Sequence, residues 1–167
     1  MSLNPVRKIW RALAYAVATA LGLGYSPVAP GTVGAAAAVG IYLLFRDALG
    51  TQPLLFGGII LAVSLAGVLA AREVRRAEHN PDPSHVVVDE VAGQLLAFFG
   101  APDSWPALLA AFLLFRLFDI WKPFPIRQVE RWGGGWGVMM DDILAGLYAR
   151  LLLAGALAVP AVRDWLV

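Results

Sequence analysis

Residues 115–126 read Phe115-Arg116-Leu117-Phe118-Asp119-Ile120-Trp121-Lys122-Pro123-Phe124-Pro125-Ile126. Within an otherwise apolar run, Arg116, Asp119 and Lys122 recur every three residues, so on a helix they share one face. Pro123 and Pro125 stop that helix directly after the lysine. Two readings follow. In a membrane-like segment such groups are costly to bury and mark a functional site. The plainer alternative is a spanning helix whose end snorkels to the interface, with Asp119 neutralised by Arg116.

The rest of the chain favours the first. Of 167 residues, 59% are apolar and 15% charged, and mean hydropathy is +0.69. A soluble domain sits nearer about 45–50% apolar and about 25% charged. The length suits one domain, and a net charge of +1 carries no nucleic-acid footprint. The absence of cysteine excludes disulfides, thiolate metal sites and cysteine nucleophiles. The first 24 residues imitate a secretory leader, but Trp10 and Arg11 interrupt the apolar run. Residues 4–21 instead suit an interfacial helix, with Arg7, Lys8 and Arg11 on its basic side and Trp10 and Tyr15 at headgroup level.

A Gly/Pro loop, GLGYSPVAPGTVG, occupies residues 22–34, and Thr32 is expected to cap a helix over residues 33–49. Further helices are expected over residues 54–71, 86–99, 107–121 and 138–159, with a short amphipathic piece at 126–132 and a hinge at Gly133 to Gly135. Asp89 and Glu90 fall in the first turns of one helix, and Asp141 and Asp142 in the first turn of another. No stretch alternates like a strand and no repeat is visible. The expected fold is all-α: a compact, membrane-embedded bundle of about six helices. It forms a single domain over 1–167, with an interfacial segment at 1–24 and a catalytic core at 25–161. The helices flanking Gly100 fall short of the roughly 20 residues that spanning takes.

Basic residues alternate between successive turns, which places the N-terminus on the cytoplasmic side; Arg163 is a weak exception. The loop before Thr32 and all five carboxylates, Asp89, Glu90, Asp119, Asp141 and Asp142, then fall at one cytoplasmic depth. Gly93 and Gly146, one turn beyond Asp89 and Asp142, allow those helices to approach closely. So many carboxylates in an apolar setting need a cation, and Arg116 and Lys122 offset only part of the charge. An oxygen-only ligand set favours Mg²⁺, with Mn²⁺ second. Such a site polarises a phosphoryl group and activates water, while Arg116, Lys122 and the backbone N–H groups around Gly31 and Thr32 hold phosphate. His79 and His85 read as loop residues. Each acidic pair alone is as readily a helix-dipole complement. A second functional class, a small cation carrier or channel, requires carboxylates spread through the membrane depth.

Four segments bring a family to mind. Ser26-Pro27-Val28-Ala29-Pro30-Gly31-Thr32-Val33-Gly34 resembles the SPxxPGTxG signature of the phosphatidylglycerophosphatase A family. Asp82 with the segment from Val86 to Gly93, the stretch from Phe115 to Ile126, and Met140-Asp141-Asp142-Ile143-Leu144-Ala145-Gly146 are similar to its other three motifs, in order. Departures are small: Ala35 where serine is common, Val86 where isoleucine is common, His85 for a small residue, and Pro83 where a histidine sometimes stands. The resemblance implies a Mg²⁺-dependent phosphatase of the bacterial inner membrane. Such an enzyme removes the terminal phosphate of phosphatidylglycerophosphate to give phosphatidylglycerol, in phospholipid biosynthesis. The expected catalytic and metal-binding residues are Asp89, Glu90, Asp119, Asp141 and Asp142; Arg116, Lys122, Gly31 and Thr32 are expected to bind substrate. The expected partners are the membrane and a phospholipid, not nucleic acid; a homodimer is left open.

Overall fold

The computed structural model describes residues 4–167. Met1 to Leu3, the start of the N-terminal segment, lie outside the described residues. Among the described residues eight α-helices follow in order: α1 Pro5–Ala18, α2 Pro30–Thr51, α3 Pro53–Glu78, α4 Val88–Phe98, α5 Trp105–Trp121, α6 Ile126–Val129, α7 Gly135–Leu157 and α8 Pro160–Leu166. No strand occurs among the described residues. Proline is the first residue of four of these helices and the second of α5, positions where its missing N–H costs nothing. Asn4 caps α1 by accepting from the Val6 N–H at 3.1 Å, and Ser104 caps α5 through the Ala107 N–H at 3.3 Å.

Several boundaries differ from expectation for identifiable reasons. Thr32 does not cap α2. The helix starts at Pro30 after Ala29, which is left-handed at φ 46°, and Thr32 is its third residue. α3 continues through the charged stretch to Glu78, because Arg and Glu are good helix formers and Arg75 and Arg76 complement its C-terminal dipole. α7 starts at Gly135, which places Asp141 and Asp142 about two turns inside it rather than in its first turn. A dipole acts over the first turn only, so it does not explain that pair. After α7 the chain bends by 113° into α8, which packs on α5 and α7 and carries the bundle past residue 161.

A short helix is the central one. α4 has only 11 residues, yet it packs on α2, α3, α5 and α7. Apart from Asp89, Glu90 and Gln94 its residues are apolar or small, and buried residues run all round it, the pattern of a helix enclosed by others. Where α4 crosses α7, Gly93 and Gly146 face each other: a Cβ on Gly146 would land on the Gly93 carbonyl, and one on Gly93 would stand 2.5 Å from the Asp142 carbonyl oxygen. In lipid there is no water to expel, so this backbone contact acts through dispersion and shape.

The outside of the bundle is apolar. α1 buries Ala14 and Ala18 against α3 and leaves Val6, Ile9, Leu13 and Val17 exposed at helical spacing. Leu61, Leu65 and Leu69 of α3 and Leu109, Leu113 and Leu117 of α5 form similar exposed stripes. α2 and α3 are long and apolar enough to cross a membrane, and α7 with α8 adds a third span if that bent pair counts as one. α4 and α5, with 11 and 17 residues, are short of the roughly 20 required. Every tryptophan is exposed: Trp10, Trp121, Trp132 and Trp136 towards one end, Trp105 and Trp165 at the other. This is the placement of interfacial anchors. The chain is a membrane-associated helical bundle.

Candidate active site

The N-termini of α2, α4 and α7 meet the C-termini of α3 and α5 around a cavity of about 620 Å³. All five carboxylates expected from the sequence line it, with Arg116, Lys122 and Gly31. Thr32 is exposed and does not line it. The acids are thus gathered at one end of the bundle, not strung through its depth as the carrier reading needs.

The five are not equivalent. Asp89, Glu90 and Asp142 each offer a carboxylate oxygen within 4.8 Å of the others. Glu90 Oε2 is buried with no hydrogen-bond partner. Burial pushes the Asp89 carboxyl well above the usual carboxylate range, and the neighbouring Glu90 charge adds to it. Burial also raises Glu90, against hydrogen bonds from Asp89 and the backbone that oppose the rise. An unpartnered buried oxygen and three crowded carboxylates are groups that a bound cation would satisfy, and an all-carboxylate donor set fits a hard divalent ion.

The remaining two acids are tied to cations. Arg116 donates to Asp119, one turn on along α5. Lys122 leaves the helix instead of continuing its face: as the left-handed C-cap at φ 48°, it turns its Nζ to Asp141 Oδ2 at 2.8 Å and Glu130 Oε1 at 2.6 Å. Burial works against the Lys122 ammonium, but the two carboxylates outweigh it and hold its pKa above the usual lysine value.

Sequence reasoning missed Glu130 and the cavity role of Arg75 and Arg131. Glu130 lies in a segment with no acidic pattern of its own. Arg75, near the end of α3, lines the cavity and donates to the Gly134 carbonyl. Arg131 lines the cavity without an ion pair among the described residues. Neither histidine lines it. His85 stacks between Tyr15 and Tyr25, with ring centroids 6.2 and 5.1 Å away, and its Nε2 lies 3.2 Å from Glu78.

The phosphatidylglycerophosphatase A family profile matches residues 16–157, from within α1 to the end of α7. The chain belongs to that family. A Bacteroides thetaiotaomicron protein with the provisional name phosphatidylinositol-3-phosphatase is 41% identical over 84% of this chain and 91% of its own length. Phosphatidylglycerophosphatase A of Escherichia coli is 33% identical over 82% of this chain and 79% of its own. The Haemophilus influenzae protein of the same name is 34% identical over 90% and 93%. No solved structure is a significant match. Membership in the phosphatidylglycerophosphatase A family makes the chain a phosphatase, and the matched span contains every residue that lines the acid cavity.

Gly31 leaves no room for a side chain in this phosphatase's cavity wall. A Cβ there would fall on the Glu90 carboxylate and stand 3.3 Å from Arg116 Nη1. Gly31→Ala should therefore displace Glu90 while leaving the bundle folded, because the obstacle is the end of a flexible side chain. The expected result is a loss of about tenfold or more in turnover, comparable to disturbing a metal's surroundings, with an unchanged melting temperature. Turnover equal to wild type would show that Glu90 is free to move without consequence.

Proposed function

We propose that this chain hydrolyses the terminal phosphomonoester of phosphatidylglycerophosphate to phosphatidylglycerol, at the cytoplasmic face of a bacterial inner membrane, with a divalent cation, Mg²⁺ first and Mn²⁺ second. The observation that carries the reading is the buried Asp89, Glu90 and Asp142 trio with its unpartnered Glu90 oxygen. Those three residues would hold the ion. Bound there, a divalent cation offsets their charge, polarises a phosphoryl oxygen and lowers the pKa of water. Asp119 and Asp141 act by orienting Arg116 and Lys122 towards the phosphate, and either cation is suited to gripping it. Gly31, at the second position of α2, adds a helix N-terminus, where backbone N–H groups favour phosphate oxygens. The exposed apolar stripes bring the cavity to headgroup level, where a lipid phosphate lies.

The relative named for phosphatidylinositol 3-phosphate supports a second head group on the same chemistry. The test is phosphate release by the purified protein in detergent, from phosphatidylglycerophosphate and from phosphatidylinositol 3-phosphate, with Mg²⁺ and then with excess EDTA. The expected result is faster release from phosphatidylglycerophosphate, abolished by EDTA and restored by Mg²⁺. EDTA-resistant turnover would remove the cation from the reading, and preference for the inositol lipid would replace the substrate.

A further inference from the structure

A second cavity, of about 480 Å³, lies between α3, α4 and α7. Its wall includes Leu61, Leu65, Leu96, Phe99, Met139 and Met140. Ser64 is in the wall too, but its hydroxyl donates to the carbonyl of Ile60 in its own helix at 2.7 Å, so it asks for no polar ligand. Leu61 and Leu65 are half-exposed on α3, a helix able to span a membrane, so the groove opens towards lipid.

The groove does not end blindly. It shares Leu65, Val68 and Trp136 with an adjoining cavity of about 580 Å³ that contains Arg72 and the glycine run 133–135. That cavity in turn shares Gly133 with the acid cavity. Cβ atoms on Gly133 and Gly134 would meet nothing within 4 Å, so the rim between the two is open. Arg72 is exposed and makes no ion pair among the described residues. The track therefore runs from hydrocarbon, past a free guanidinium, over a glycine rim, to the cavity lined by the acids, Arg116 and Lys122. From Gly57 to Val68 the groove follows α3 for about 16 Å, against about 15 Å for the hydrocarbon of one leaflet.

We propose that this groove holds one acyl chain of the lipid substrate, with Arg72 at its mouth taking the lipid's inner phosphodiester. The proposal rests on reading the acid cavity as a lipid phosphomonoester site. The order of chemistry along the track matches the order along such a lipid: acyl chain, diester, glycerol, monoester. An inserted chain would cover the leucines and methionines that now line an open gap. The arrangement makes turnover depend on chain length as well as on head group.

Dihexanoyl and dipalmitoyl phosphatidylglycerophosphate are compared in mixed micelles, with wild type, Leu65→Trp, Leu61→Trp, and Leu54→Trp as a control outside the groove. The expected result is a roughly tenfold rise in KM for the long-chain lipid in the two groove variants, the equivalent of about two lost buried methylenes. The short-chain KM, kcat and melting temperature stay within twofold or unchanged. Arg72→Gln should raise KM for both lipids. Native mass spectrometry of the same proteins reads bound long-chain lipid directly, one per chain in wild type and depleted in Leu65→Trp. Turnover with the same chain-length dependence in all variants overturns the groove, which is then a gap filled by bulk lipid, and leaves the phosphatase reading intact. A groove-dependent bound lipid without turnover keeps the groove as a lipid site and overturns phosphatidylglycerophosphate as the substrate. Neither turnover nor a bound lipid overturns both.

Discussion

Asp142→Asn should lower turnover by at least about 10²-fold while leaving the melting temperature unchanged or higher. The substitution keeps the volume and hydrogen-bonding reach of the side chain. It removes one of three carboxylates whose oxygens lie within 4.8 Å of one another. Losing even an indirect partner of a bound metal costs about 10–100-fold in affinity or activity, and in the proposed function Asp142 would hold the ion itself. The Mg²⁺ concentration for half-maximal rate should rise as well. Without the ion, the same substitution relieves like-charge repulsion in a buried setting, which favours the folded state. Opposite signs for activity and stability separate this reading from a carboxylate that merely braces the fold, whose loss lowers both. Asp103→Asn is the control. Asp103 lies just before α5 at the far end, half-exposed, 3.8 Å from Arg46, and should change neither quantity. Mg²⁺ titrations of phosphate release, with thermal melts in the same detergent, provide the measurement. Turnover within a few-fold of wild type across the titration would end the metal assignment.

The second large effect is expected at the α4–α7 crossing. Gly146→Ala should destabilise the bundle by about 1–3 kcal/mol, the usual cost of overpacking, and reduce activity as well. Alanine in a helix interior normally gains up to about 1 kcal/mol over glycine. At Gly146 the added methyl would meet the Gly93 carbonyl and stand 3.1 Å from the Gly93 Cα. Those are backbone atoms, so the helices themselves must separate. Asp142 and Asp89 each sit one turn before these glycines, and the separation would pull the acidic trio apart. Gly155→Ala is the matched comparison in the same helix: its Cβ would meet nothing within 4 Å, and it should be neutral or stabilising. Chemical denaturation or thermal melts of the two variants side by side give the answer. If Gly146 tolerates alanine as well as Gly155 does, the close crossing does not hold the site together.

Much of the site could be read from residue spacing. The prolines after Lys122 located the end of α5, and the alternation of basic turns put the acids at one end. Gly93 and Gly146 announced a close crossing because only glycine permits backbone contact there. The errors have local causes. Thr32 looked like a cap because its side chain suits one, but Pro30 is a better first residue and started α2 earlier. Asp141 and Asp142 looked like first-turn acids because a glycine run reads as a loop, whereas Gly135 already belongs to α7, and a Cβ there would land on the Val68 carbonyl of α3. Lys122 was placed on the helix face by spacing alone, and no spacing rule anticipates a left-handed residue that swings its ammonium to another helix.

The sequence by itself determined the all-helical class, the affinity for lipid and the end of the bundle at which charge collects. Those follow from composition, 3.6-residue periodicity and helix-stopping residues, which act locally along the chain. Only the tertiary structure decided that Asp89, Glu90 and Asp142 form a group, while Asp119 and Asp141 are held by Arg116 and Lys122. That division depends on how closely α4 and α7 cross and on the direction of the backbone at one residue. A shift of an ångström or two reassigns a carboxylate from cation site to salt bridge, and linear spacing carries no information at that scale.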